Sequence, residues 1–105
     1  MIKIVTLDEI REILDLISSK LEGKVREAYV FGSVVEGTAV AGESDLDILV
    51  VPKAGYVDFI DYFKFLETEI ERLLDLGIVM HIHVASNVTY ARMIEEVRAN
   101  GLKIA

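Results

Sequence analysis

The chain has 105 residues, which is the size of one domain with a single modest core. Its composition, 52% hydrophobic and 28% charged with no cysteine, excludes a disordered chain, disulfides and thiolate metal sites. A net charge of −7, from 18 acids against 11 bases, argues against a stand-alone nucleic-acid binder, because such binding neutralises phosphates with Lys and Arg. The apolar runs fall well short of a membrane span and no signal-peptide pattern opens the chain, so the expected location is cytoplasmic, with no membrane contact.

In chain order, residues 1 to 5 read as a short extended arm. Thr6 and Glu9 form a capping box, and Ile10, Ile13, Leu14, Ile17 and Leu21 recur at helical spacing, so a helix is predicted over 7–22 with Gly23 closing it. Residues 25–31 and 44–51 read as two strands. Gly37 and Gly42 between them suggest a flexible connection able to close over a ligand, or a plain surface loop. Beyond Pro52 and Gly55, an apolar side built from Phe59, Ile60, Phe63, Leu66, Ile70, Leu73 and Leu74 predicts a second long helix over 57–76. Phe59, Tyr62 and Phe63 read as core or partner surface before base-stacking residues, and Lys53 and Lys64 as solvated.

A third strand is predicted over 78–85, with Val79, His81 and His83 on one face and Met80, Ile82 and Val84 on the other. A last helix over 88–100, capped by Ser86 or Asn87, carries Tyr90, Met93, Ile94 and Val97 on one side. The sequon at Asn87-Val88-Thr89 is accidental without a secretion signal. Leu102 to Ala105 form an apolar tail that returns to the sheet or docks elsewhere. The apolar fraction and the aromatic side of the second helix hint at a homo-oligomer or a partner.

The chemistry concentrates between the first two strands. Asp45 and Asp47 are two apart at the head of Leu46-Ile48-Leu49-Val50-Val51, so on a strand both carboxylates project from one face. Two such charges side by side demand a counter-ion, and Mg²⁺ with phosphate oxygens completing its shell meets that demand. Gly32 removes a Cβ from the path of a phosphate, Ser33 adds a hydroxyl, and a short helix starting near Val34 presents amides to an anion. Ser44 stands beside the acids. The combination suits phosphoryl or nucleotidyl transfer, and the acidic net charge fits a triphosphate delivered with its own metal, or a basic partner.

Gly32-Ser33 followed by Ser44-Asp45-Leu46-Asp47 resembles the GS…(S/T)DxD signature of the DNA polymerase beta-like nucleotidyltransferase superfamily, and Glu36-Gly37 fits its GSxxxG form. In size and layout the chain is similar to the minimal nucleotidyltransferases (MNT) of archaea and bacteria. The resemblance implies an α/β (α+β) palm with a small mixed sheet of three to four strands and helices packed against it. It implies ATP or another nucleoside triphosphate with Mg²⁺, phosphate held by Gly32, Ser33 and Ser44, and metal held by Asp45 and Asp47. Many proteins of this kind are antitoxin partners of small helical HEPN proteins.

One position departs from the pattern. The third strand of the superfamily usually carries a carboxylate as hDhHh, where h is apolar, and here Met80-His81-Ile82-His83-Val84 puts His81 at the acid's place. An imidazole can serve as a base near pH 7 and ligates Mn²⁺ or Zn²⁺, but it adds no negative charge and suits Mg²⁺ poorly. Three readings follow: His81 substitutes in catalysis, the enzyme is weak or prefers Mn²⁺, or catalysis is lost while nucleotide or partner binding is kept. The blander account makes both histidines polar packing on an exposed strand face.

Overall fold

The computed structural model describes residues 2–53, 58–85 and 91–105, with side chains from Ile94 onward in the last stretch. The cap expected at Ser86 or Asn87, the sequon, Tyr90, the turn at Gly55 and the side chain of Met93 lie outside the described residues.

Helix α1 (Leu7–Leu21) begins where the sequence places it, with extended Thr6 accepting the Glu9 N–H on its hydroxyl at 3.4 Å. Its stripe of Ile10, Ile13, Leu14, Ile17 and Leu21 is buried. Strand β1 (Val25–Phe31) leads through the short helix α2 (Ser33–Glu36) to strand β2 (Ser44–Pro52). Helices α3 (Phe59–Phe65) and α4 (Glu67–Asp75), strand β3 (Ile78–Val84), helix α5 (Ala91–Asn100) and strand β4 (Leu102–Lys103) complete the order.

The four strands form one mixed sheet, ordered β3-β2-β1-β4. β1 runs antiparallel to both β2 and β4, and β3 runs parallel to β2 through the connection that holds α3 and α4. The apolar tail thus returns to the sheet: Leu102 and Lys103 pair with Val30 and Tyr29, and Ile104 N–H donates to the Ala28 carbonyl.

Period-two alternation divides the sheet into two unlike faces. Leu46, Ile48 and Val50 of β2 point into the main core with Ile10, Ile17 and Leu21 of α1, Tyr62, Leu66 and Leu73. Leu49 and Tyr29 point the other way, into a small second core with Ala85 and Val97 of α5. Across the main core, Lys20 Nζ lies 2.8 and 3.1 Å from the two carboxylate oxygens of Glu69, a side chain only 2% exposed. That pair ties α1 to α4.

One local expectation changes. The single helix over 57–76 is two helices meeting at Leu66, whose φ of −108° and ψ of 12° bend the axis while Leu66 stays buried. Asp58 caps the described part, accepting the Ile60 N–H at 3.1 Å, and Val57 lies outside the described residues. Tyr62 is fully buried, whereas Phe59 and Phe63 stay exposed with ring centroids 6.0 Å apart.

The connection between β1 and β2 is tethered rather than free. Val5 N–H donates to Ala39, Ala41 N–H to Lys3, and Gly42 N–H to Gly77 at 2.7 Å, while Ile4 bridges Val40. The Gly42–Gly77 crossing is so close that a Cβ on Gly77 would lie 2.6 Å from the Gly42 nitrogen.

Candidate functional site

The acids stand on the same face of the sheet as Leu49 and Tyr29, at the end of β2 that α5 leaves open. β2 pairs Asp45 with Val79 and Asp47 with His81 on its β3 side, and Asp47 with Phe31 on its β1 side. Paired residues on neighbouring strands share a face, so Asp45, Asp47, Val79, His81, His83 and Phe31 project together. The carboxylates are 45% and 24% exposed, and His81 is 51% exposed. The cluster is therefore open to a ligand.

Around Asp47 the packing is close. His83 Nε2 lies 3.1 Å from its Oδ1, and the His83 ring rests against Phe31 with centroids 5.6 Å apart. Gly32 lies against its other carboxylate oxygen: a Cβ built there would sit 2.7 Å from Asp47 Oδ2. Gly32 also has φ 94° and ψ −163°, a region open essentially to glycine alone. Sterics and backbone thus demand glycine for two independent reasons.

His81 is looser, with Nε2 3.7 Å from Asp45 Oδ2 and Nδ1 4.0 Å from Asp47 Oδ1. Alternation places His83 on this face beside His81. The more intimate contact belongs to His83.

Ser33 opens α2, where its carbonyl accepts the Thr38 N–H at 2.9 Å and so closes the turn. Ser44 Oγ accepts the Val40 N–H at 2.8 Å, while Ser44 N–H donates back to the Val40 carbonyl. This hydroxyl pins the loop that enters the acidic strand. Lys53 and Lys64 are exposed, and among the described residues the polar side chains nearest the Asp45 and Asp47 carboxylates are the two imidazoles.

Among the described residues, no set of three or more His, Asp or Glu side chains forms a ready-made metal cage. Two same-face carboxylates nonetheless fit Mg²⁺, which binds through one or two carboxylates, keeps waters and takes its remaining ligands from substrate phosphates. The close approach of Gly32 to Asp47 leaves backbone rather than side chain beside that position.

A small mixed α/β sheet, with a Gly-Ser turn on one strand and paired carboxylates on the next, defines a palm-like phosphoryl-transfer domain. The chain belongs to the nucleotidyltransferase domain family, whose model matches residues 9–101. A Methanocaldococcus jannaschii chain named "Putative protein adenylyltransferase MJ0604" is 36% identical over 85 residues, 81% of this chain and 78% of that one. A solved toxin-antitoxin crystal structure with AMP-PNP has a chain that superposes with a TM-score of 0.58. The match covers 88% of this chain and 72% of that one at 23% identity, and speaks for the fold. No helix among the described residues is long and apolar enough to cross a membrane.

Proposed function

We propose that this chain transfers a nucleoside monophosphate, AMP from ATP, to a hydroxyl acceptor, with Mg²⁺ held by Asp45 and Asp47. The observation that carries the reading is the shared projection of these two carboxylates beside Gly32, in a chain of the nucleotidyltransferase family. The name of the M. jannaschii relative favours a protein acceptor, and the toxin-antitoxin likeness favours a partner chain. A HEPN-type helical protein is the partner the sequence resemblance implies.

In this reaction the acceptor oxygen attacks the α-phosphorus. A new P–O bond forms as the bond to the α–β bridging oxygen breaks, and pyrophosphate leaves. The cation, when bound, neutralises charge on the phosphate oxygens. Gly32 lets phosphate approach the backbone, and Ser33 offers its hydroxyl. Ser44 holds the loop, and His83 holds Asp47. His81, exposed beside Asp45, takes the proton released by the attacking hydroxyl.

A second reading rests on one observation: His81 occupies the register position opposite Asp47 where the resemblance places a third acid. On that reading the chain is a catalytically weak or inactive antitoxin or partner-binding module. Calorimetric titration of ATP with Mg²⁺, and separately with Mn²⁺, tests the nucleotide site, and transfer of labelled AMP to an acceptor distinguishes the two. Binding that disappears in Asp45→Asn supports a nucleotide site at the acids and justifies a search for the acceptor, and binding with Mn²⁺ alone assigns metal choice to His81. Absence of binding with either metal leaves the partner module. His81→Asp should then raise Mg²⁺-dependent transfer if the rest of the site is competent.

A further inference from the structure

The two acids of the site are held very differently before any ligand arrives. Asp47 is gripped at both carboxylate oxygens, by His83 Nε2 at 3.1 Å from Oδ1 and by the close approach of Gly32 to Oδ2. Asp45 is the more exposed of the two. Its contact with His81, Nε2 to Oδ2 at 3.7 Å, is too long for a hydrogen bond. The register sharpens the contrast. β3 sets His81 directly opposite Asp47 and His83 opposite Leu49, two residues further along. The histidine facing Asp47 therefore stands off, with Nδ1 at 4.0 Å, while the diagonal one reaches it. Diagonal neighbours on one face lie within range of long or aromatic side chains.

Phe31 completes the grip. It pairs with Asp47 from β1, and its ring meets the His83 ring with centroids 5.6 Å apart at a 40° tilt, which restricts where the imidazole points. An ionised carboxylate only accepts hydrogen bonds, so the imidazole carries a proton on Nε2 and donates it to Oδ1. Asp47 keeps its charge and loses its freedom to turn. We propose that His83 is a positioning residue that presets the Asp47 carboxylate for the cation. Asp47 is then the fixed ligand, and Asp45 the one that adjusts when metal and phosphate arrive. The proposal rests on the nucleotidyltransferase reading and gives its two acids unlike roles. A group that hydrogen-bonds a ligating carboxylate tunes metal affinity without touching the metal.

Two substitutions separate the hydrogen bond from the packing. His83→Phe keeps a ring against Phe31 and removes the donor, whereas His83→Gln keeps an N–H donor and removes the ring. ATP is titrated calorimetrically into each whole chain at saturating Mn²⁺ and at saturating Mg²⁺, and circular dichroism verifies the fold. His83→Phe should weaken binding with both metals by about tenfold or more, the range for losing such an orienting group. His83→Gln should stay within about threefold of the wild type. A histidine that serves packing alone predicts the reverse order. That order, equal losses in the two variants, or wild-type affinity in His83→Phe overturns the proposal. A loss with Mn²⁺ but not with Mg²⁺ also overturns it, because it marks the imidazole as a ligand of the metal itself. If His83→Phe does not fold, His83→Met against His83→Gln repeats the comparison with two unbranched side chains, one of them without a donor. Asp47→Asn separates the two levels of inference. If it abolishes ATP binding while His83→Phe binds as the wild type does, the positioning role falls and the nucleotide site stands. If the wild type binds ATP with neither metal, both fall.

Discussion

On one face of the sheet Leu46, Ile48 and Val50 meet α1, α3 and α4 in a continuous core. On the other, Leu49 and Tyr29 meet α5 and Ala85 in a smaller one, and the same face of β2 continues as Asp47 and Asp45. One strand thus serves stability through its even positions from 46 to 50 and chemistry through Asp45 and Asp47, and the pleat keeps the two tasks apart. The thin face can carry charge because the thick face already supplies the buried area that folding needs.

This division has consequences that can be broken experimentally. The largest effect should come from Asp45→Asn with Asp47→Asn, which should cut nucleotidyl transfer by about 10³-fold or more. Its thermal midpoint should not fall, since two adjacent like charges are removed. Labelled-nucleotide transfer and a melting curve on the same sample provide the check, and a midpoint drop as large as a core variant's would refute the separation.

Ile48→Ala reverses the pattern. It empties a fully buried site on the thick face and should cost about 3 kcal/mol in a urea titration. The protein that remains folded should bind ATP as before.

Gly32→Ala crosses the boundary. Its backbone region costs a non-glycine residue about 1–3 kcal/mol, and the new Cβ meets Asp47 Oδ2. Stability and ATP affinity should fall together, and a loss of either alone would sharpen the account of what Gly32 does.

The smallest effect belongs to the far end of the thin face, where Arg98 of α5 hydrogen-bonds Glu27 and, with Tyr29, holds its carboxyl below the ordinary value of 4.5. A depressed carboxylate stabilises the fold above its unfolded pKa, and that contribution is lost as pH falls through the lower folded value. Amide protection along α5, taken relative to intrinsic exchange at the same pH, should therefore fall below about pH 4.5. Arg98→Ala should flatten that dependence, while exchange in α1 stays unmoved.

The sequence made the thick face legible because its signals are periodic. The stripe of α1 and the alternation of β2 need only spacing to be read. Glycine at position 32 and the same-face acids were legible for the same local reasons. The bend at Leu66 was not, because the apolar spacing runs smoothly from Phe63 through Ile70 and only packing against the sheet decides where the axis turns. His83 was placed on the correct face, but its 3.1 Å contact with Asp47 depends on the parallel register of β2 and β3, which alternation does not report. The loop tethers were invisible because backbone bonds such as Ala41 to Lys3 leave no side-chain pattern.

Those tethers also govern the heat of binding. The segment from Gly37 to Ser44 has amides engaged by Lys3, Gly77 and its own turn, so little chain there remains to be frozen when a nucleotide arrives. Ordering a loop brings an entropy loss and a large negative heat-capacity change, whereas filling a prepared surface leaves mainly the signature of the area covered. For this site the second signature is expected, with a heat-capacity change that tracks the size of the base rather than the length of the loop.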